Sequence, residues 1–331
     1  MNYETLTRKK QQLDGDRPLP PELVRNLDDW FTVELTYTSN AIEGNTLTRR
    51  ETAVVIEKGL TVGGKSLKEH LEATNHAHAL DLVRSLIKKK PSRLTANDVL
   101  AIHDIILKGL DDDNAGHYRS VPVRMSGSAV VMPNPCKVPD LMDNFQLWLA
   151  GKHNVHPVAF AGEAHYRLVT IHPFVDGNGR TARLLMNLLL LMYGYPPAII
   201  RKRDRLAYIA ALEKAQLGGS KEAYETIIAR AVDRSLDIYL NATRGESAIE
   251  DMDTDELLKI GELAKAAGET VPTIRYWTKE GLLEVAEVTE SGYQLYAADM
   301  AQRCEQIQTL KRERFTLEEI KRKLVHEKNH G

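Results

Sequence analysis

His172-Pro173-Phe174-Val175-Asp176-Gly177-Asn178-Gly179-Arg180-Thr181-Ala182-Arg183 runs without interruption into the apolar stretch Leu184-Leu185-Met186-Asn187-Leu188-Leu189-Leu190-Leu191-Met192-Tyr193. This reads as a loop that opens directly into the N-terminus of a buried helix. Two glycines around Asn178 let successive backbone N–H groups converge on an anion without Cβ obstruction, and the helix start adds partial positive charge. Arg180 and Arg183 lie three apart, nearly on one helical face, so the spacing predicts that both guanidinium groups reach one polyphosphate. Asp176 is a hard oxygen ligand beside that cradle, of the kind Mg²⁺ uses together with phosphate oxygens and water. His172 adds a base that works near neutral pH. Each feature alone is commonplace, but base, carboxylate, Gly-Asn-Gly and two arginines within twelve residues point to nucleotide chemistry. The segment is not a P-loop, which lacks this histidine and needs Gly-Lys-Ser/Thr.

Outward from this segment, apolar residues recur at three- and four-residue spacing, as in Leu141, Phe145, Trp148 and Leu149, or Ile227, Ile228, Ala231, Leu236 and Tyr239. The pattern predicts an all-α protein. Helix starts are marked at Thr95 and Ser220, whose side-chain oxygens can cap free backbone donors. Residues 118–135 break the pattern: Val121, Val123 and Met125, then Val130, Val131 and Met132, flank Ser126-Gly127-Ser128, as in a short hairpin with a flexible tip. The stretch 241–255 is polar and acidic with no sustained apolar face, so it marks a domain boundary. The expected organisation is a first domain over 1–245, a linker over 246–256 and a second domain over 257–331.

The 331 residues are 43% hydrophobic and 27% charged, which excludes disorder, collagen and a disulfide-held miniprotein. The longest apolar run, 184–195, is far short of the roughly twenty residues that span a bilayer. The N-terminus carries charges with no apolar core behind them, so the expectation is a cytoplasmic protein without a membrane partner. Cys136 and Cys304 are far apart in sequence and read as two reduced thiols. A net charge of −2 gives no global attraction for nucleic acid, so any such binding needs a local patch.

The segment 172–183 matches the Fic signature His-x-Phe-x-Asp/Glu-Gly-Asn-Gly-Arg-x-x-Arg at every specified position, and the resemblance runs from about residue 31 to 243. It is similar to the animal Fic AMP-transferases in Glu43-Gly44-Asn45-Thr46-Leu47-Thr48, in Gly194-Tyr195-Pro196-Pro197 and in Ile199-Ile200-Arg201-Lys202. The resemblance implies a Fic-type helical bundle with a β-hairpin flap. It also implies transfer of AMP from ATP to a Ser, Thr or Tyr hydroxyl of a protein, itself among the targets, with ATP and Mg²⁺ as cofactors. His172 would take the hydroxyl proton and Asp176 would hold Mg²⁺. Gly177, Asn178 and Gly179 would bind phosphates through the backbone of the segment that includes Thr181 and Ala182, while Arg180 and Arg183 neutralise growing charge. Met125, Ser126, Gly127 and Ser128 would form the flap that covers the nucleotide and docks the target backbone. Tyr208 sits where the family lines the adenine pocket, and Gln216 stands where the animal enzymes have Asn.

Ser39-Asn40-Ala41-Ile42-Glu43-Gly44 fits the family's inhibitory motif Ser/Thr-x-x-x-Glu-Gly/Asn. A helix ending at Gly44 would present Glu43 at its tip, where the carboxylate could pair with Arg183 and occupy the arginine needed by the γ-phosphate. In some relatives the same glutamate positions a water for AMP removal, so hydrolysis of the modified protein stays open beside inhibition.

The stretch 258–277 reads as helix, Gly turn and second helix. With Gly281-Leu282-Leu283, with Ser291 to Tyr296 as a wing and with Phe315 to Lys321, it resembles the MerR-type winged helix. The resemblance makes Thr273, Arg275 and Tyr276 candidate DNA contacts. Two features count against DNA: residues 255–331 hold 12 Lys plus Arg against 14 acidic residues, and the chain ends too soon after Leu324 for a long dimerising helix. The module could equally hold a protein partner, and a homodimer stays open. Two readings of the whole follow: an autoinhibited AMP-transferase, or an ATP-sensing DNA-binding transcriptional regulator. Intact His172 favours the first, because sensing needs no base. Phosphate-transferring relatives depart from Gly-Asn-Gly, which this chain keeps.

Overall fold

Twelve of the fifteen residues of helix α8, Asn178–Met192, are buried, among them Leu184, Leu185, Leu188, Leu189 and Leu190. A helix apolar on every side must sit inside a bundle rather than on its surface. In the computed structural model, which describes residues 3–125, 127–245, 257–285, 287–288, 292–297, 300–313 and 315–327, this is what α8 does. It packs along α7 (Pro157–Ile171) and touches α2 (Pro21–Ile42), α4 (Leu67–Leu86) and α5 (Ala96–Leu107). Outer layers are α1 (Glu4–Gly15) on α10 (Glu222–Thr243), α3 (Arg49–Lys58) against α2 and α4, α6 (Val138–Ala150) on α7, and α9 (Arg205–Gln216) on α10.

The helix boundaries follow local chemistry. Thr95 accepts a hydrogen bond from Asp98 N while the Asp98 carboxylate returns to the Thr95 amide, a reciprocal cap that Thr48/Glu51 and Ser66/Glu69 repeat. Ser220 Oγ accepts from Glu222 N at 3.2 Å at the start of α10. At the far end of α2, Gly44 (φ 98°) allows Gly44 N to reach Ala41 O at 3.2 Å and Asn45 N to reach Asn40 O at 3.0 Å. This is a Schellman ending, and it leaves Glu43 as the capping residue just past Ile42.

Contacts divide the chain into two units, 1–248 and 249–331. The expected linker over 246–256 lies outside the described residues, as do Ser126 and Ser291. In the second unit, α11 (Ile260–Ala266) and α12 (Val271–Lys279) are followed by α13 (Met300–Arg312) and α14 (Leu317–Glu327). A three-stranded antiparallel sheet is ordered β1 (Leu258–Lys259), β3 (Gln294–Tyr296), β2 (Glu287–Val288), with Leu258 opposite Tyr296 and Val288 opposite Gln294. The core is Leu263, Ile274, Trp277, Leu282, Tyr296, Cys304 and Ile307. Both cysteines are free thiols, Cys136 exposed and Cys304 buried. Among the described residues no helix is long and apolar enough to cross a membrane.

The hairpin expected over 118–135 takes another form. Ser128 N donates to Met125 O at 3.2 Å, so the tip turns, but no strand pairing flanks it among the described residues. Side chains replace the ladder: Arg119 Nη1 donates to Val121 O at 3.1 Å and Nη2 to Pro133 O at 2.6 Å, while Glu213 accepts from Ser128 Oγ at 2.8 Å and Ala129 N at 2.9 Å.

Candidate active site

The α7-to-α8 turn is fixed from behind. His172 ends α7 with φ 50°, the one non-glycine residue at positive φ among the described residues. Its carbonyl accepts from Arg119 Nε at 2.7 Å, and Arg119 N donates to Pro173 O at 2.9 Å. Backbone held in this sparsely used region needs such enforcement. Phe174, fully buried, stacks on His103 with ring centroids 3.6 Å apart and 4° between planes. Asn178 closes the turn on itself, its Oδ1 accepting from Phe174 N at 3.0 Å and its Nδ2 donating to Phe174 O at 2.9 Å. Gly116 N donates to His103 Nδ1 at 3.1 Å, so the neutral ring carries its proton on Nε2, which donates to Asp176 O at 3.0 Å. Burial pushes His103 down to about 4, and this arrangement stays neutral.

Gly177 has φ 74°, and a Cβ there would lie 3.2 Å from His103 Cδ2 and 3.3 Å from Ile106 Cγ2. Gly177→Ala therefore meets a left-handed backbone and a packed wall together. We expect a loss of at least about 1–2 kcal/mol of stability, measured by chemical denaturation; an unchanged midpoint would contradict this account of the turn.

Ahead of the turn lies a cavity of about 340 Å³, lined by His172, Gly179, Arg183, Glu43, Ile42, Arg205, Tyr208, Ile209, Leu212, Glu213, Gln216, Val169 and the turn residues Met125, Gly127 and Ser128. The half-buried His172 ring places Nδ1 3.3 Å from Val169 O. A carbonyl only accepts, so Nδ1 holds the proton and Nε2 keeps the lone pair. Burial, partly opposed by the Val169 carbonyl, holds the imidazole below the ordinary histidine value, so near neutral pH it is an unprotonated base.

Arg183 is 5% exposed. Its Nε donates to Ser39 Oγ at 2.9 Å, and its Nη2 donates to Ser39 O at 2.9 Å and to Glu43 Oε1 at 2.7 Å. Burial works against this charge, but Glu43 and Tyr208 outweigh it and leave the guanidinium above the ordinary arginine value. The Glu43 carboxylate also touches the start of α8: a Cβ on Gly179 would stand 2.3 Å from Glu43 Oε1. Helix starts attract anions, and here the Glu43 carboxylate is the anion that lies against one.

Arg180 takes a different place from Arg183. It is 2% exposed, absent from the cavity wall, and lies between Glu72 (Nη1 to Oε1, 3.4 Å) and Asp176 (Nη2 to Oδ2, 3.2 Å). Three residues along a helix turn a side chain by about 60°, and here that rotation carries Arg180 behind the loop toward α4. The expectation that both arginines face one cavity is corrected: in this geometry Arg183 faces it and Arg180 braces Asp176. Asp176 itself is 61% exposed in its side chain, and its Oδ1 accepts from Gly177 N at 2.7 Å. Thr181 and Ala182 are buried within α8, facing away from the cavity wall.

On α9, Tyr208 is 2% exposed and forms part of the cavity wall, with its hydroxyl 2.7 Å from His165 Nε2. Gln216 Nε2 donates to Thr170 Oγ1 at 3.3 Å. The sequence reading missed Glu213, Arg205, Arg119, His103 and Glu72. Glu213 latches the turn at 128–129, where the Ala129 amide and Ser128 hydroxyl hold its carboxyl below the usual carboxylate range. Arg205 Nε donates to Ile42 O at 2.6 Å, pinning the end of α2. Glu72 Oε2 accepts from Asn45 at 2.9 Å on the other side of its contact with Arg180. None of these has a local signature beyond helical spacing.

In the second unit, Arg275 and Tyr276 are exposed on α12, while Thr273 Oγ1 sits 2.9 Å from Thr270 Oγ1 and belongs to the helix cap.

The Fic/DOC family model matches residues 93–190. A Fic domain containing signaling protein from Bacteroides thetaiotaomicron superposes with a TM-score of 0.69 at 31% identity, over 76% of this chain and 99% of that one. The chain belongs to the Fic/DOC family. Residues 134–508 of Fic-1 from C. elegans give a TM-score of 0.66 at 30% identity, over 73% of this chain and 72% of that one. Among curated relatives, protein adenylyltransferase Fic of Nematostella vectensis is 42% identical over 209 residues, 62% of this chain and 48% of the relative. That of Culex quinquefasciatus is 37% identical over 243 residues, 73% and 48%. The Fic protein described here thus spans about half the length of these curated relatives. Its residues 258–327 match the MerR HTH family regulatory protein model, so a MerR-type module follows the Fic bundle.

Proposed function

We propose that this Fic protein is an adenylyltransferase that moves AMP from ATP to a hydroxyl of a protein, held in a slow state by Glu43. The observation that carries this reading is one cavity walled by an unprotonated His172, the α8 N-terminus and Arg183, with Glu43 on both the helix start and the arginine. The names of the Nematostella and Culex relatives support the reaction class.

In this reading ATP phosphates take the seat at the start of α8, where Gly179 lines the cavity and the helix N-terminus favours an anion. His172 Nε2 takes the proton of the target hydroxyl as its oxygen attacks the α-phosphorus. The new O–P bond forms as the bond to the β-phosphate oxygen breaks, and pyrophosphate leaves. Arg183 neutralises charge on the β- and γ-phosphates once Glu43 has withdrawn. The exposed Asp176 carboxylate, braced by Arg180 and Gly177 N, fits a site where Mg²⁺ is held by one carboxylate plus phosphate oxygens and would offset phosphate charge. The Met125 to Ser128 turn, latched by Glu213, covers the nucleotide and Tyr208 and Gln216 line the base end. AMP removal through Glu43 would use the same cavity.

Parallel reactions with α- and γ-labelled ATP test the reaction class. Protein labelled only from the α position is the expected result for the Glu43→Gly variant; label from the γ position would mean phosphate transfer and would overturn it.

The MerR-type match favours a second role, DNA contact through Arg275 and Tyr276 on α12, with ATP-dependent regulation as its purpose. The module's acidic balance makes a protein partner the competing occupant of that face.

A further inference from the structure

Gly177 caps the start of α8 with φ 74° and ψ 0°, and it brings no side chain to that task. Those angles are the ones found at the third residue of a type II turn. The central peptide of such a turn, here Asp176–Gly177, turns over when type II becomes type I, and glycine accepts both forms. Glycine therefore leaves open which way this peptide faces, and a neighbour must decide it.

The neighbour is His103 on α5, a buried ring that stacks on Phe174 and is absent from the cavity wall. Gly116 N donates to its Nδ1 at 3.1 Å, so Nδ1 is an acceptor and Nε2 carries the proton. Nε2–H then donates to Asp176 O at 3.0 Å. The Asp176–Gly177 peptide is trans, and in a trans peptide the carbonyl and the N–H point to opposite sides. With the carbonyl drawn back to His103, Gly177 N–H points forward, where it donates to Asp176 Oδ1 at 2.7 Å. That side chain is 61% exposed, so forward is the open side of the turn. In the turned-over peptide Gly177 N–H would meet Nε2–H, donor against donor, and the Asp176 carboxylate would face a carbonyl.

We propose that His103 is a positioning residue for Asp176: it holds the Asp176–Gly177 peptide in one orientation and so presents the N–H that aims the Asp176 carboxylate. Arg180 steadies the other carboxylate oxygen at 3.2 Å. Carboxylates that hold metal ions are themselves hydrogen-bonded, and losing such an outer partner typically costs about 10–100-fold in metal affinity. His103 touches no ligand and acts only through the peptide. The proposal rests on the Mg²⁺-nucleotide reading of Asp176 for its affinity test, but not for its two NMR readouts.

Those readouts use the full chain without ligand. The first is the ¹⁵N tautomer of His103 in the wild-type protein: Nε2–H is expected, and Nδ1–H would overturn the proposal. The second is the Gly177 amide proton under ¹⁵N-glycine labelling. His103→Gln keeps an N–H donor without the ring, and His103→Phe keeps the stacking ring without the donor. The amide held by Asp176 should resonate downfield in wild type and His103→Gln and move upfield in His103→Phe. The third readout is the Mg²⁺ concentration that supports half-maximal binding of β,γ-imido ATP to the Glu43→Gly protein, followed by calorimetry. His103→Phe should raise it about tenfold and His103→Gln less than about threefold. A side chain that serves packing alone gives the opposite order, with phenylalanine the milder change; that order, or equal effects, would overturn the proposal. Should His103→Phe not fold, a His103→Gln protein that has lost the downfield Gly177 amide overturns it by itself. If the Glu43→Gly protein binds no analogue at any Mg²⁺ concentration, the nucleotide reading fails and the two NMR readouts alone decide the role of His103.

Discussion

Glu43→Gly should raise AMP transfer by on the order of a hundredfold over the wild-type protein. The Glu43 carboxylate does two things at once: it hydrogen-bonds Arg183 at 2.7 Å and it stands against Gly179 at the start of α8. On the proposed function, both are positions that a terminal phosphate takes. ATP that enters beside Glu43 must seat its phosphates out of line, and misplacement on the ångström scale is expensive in rate. The pair is not a strong lock, because the Glu43 side chain is 37% exposed and water screens it. The proposed brake therefore works through geometry, and lifting it requires no unfolding. Glycine at position 43 leaves the Schellman ending at Gly44 in place, so the melting temperature should change little while turnover rises. Initial rates of auto-modification measure this; equal rates in the two proteins would sink the Glu43–Arg183 brake.

His172→Ala, placed in the Glu43→Gly protein, should lower transfer by about 10²–10⁴-fold, the usual contribution of a positioned base. ATP affinity should change little, since the cradle and Arg183 remain. The pH profile gives an independent check. Protonation disables Nε2 as a base, and burial holds the His172 value below the ordinary 6.5. Activity should therefore be level through neutral pH and fall on the acid side, with its midpoint below pH 6.5. A profile that still rises between about pH 7 and 8 would point to another base.

Much of the site was legible because its chemistry is contiguous. Residues 172–183 carry their reading in local spacing, whereas residues 39–44 gain theirs only through the family resemblance, and the structure brings Ser39 and Glu43 onto Arg183. The mostly helical fold was equally legible in the apolar spacing of Leu141 to Leu149 and of Ile227 to Tyr239. Other features were not, and for a physical reason. Arg180 and Arg183 look equivalent on an isolated helix, but Glu72 from α4 captures Arg180 behind the loop, and no local pattern announces that partner. Glu213, Arg205 and Arg119 are ordinary polar positions until the fold sets each against a backbone group of another element. The turn at 125–128 was read as a hairpin because its valines alternate; side-chain donors and acceptors hold it instead.

The central claim is an AMP-transferase restrained by its own glutamate. Its most direct test incubates wild type, Glu43→Gly and Glu43→Gly/His172→Ala with Mg²⁺ and α-labelled ATP and measures label retained on protein. The account predicts strong label on Glu43→Gly, little on wild type and none on the double variant. Absence of label on all three, with ATP binding demonstrated in each, would contradict it and leave a nucleotide-sensing protein.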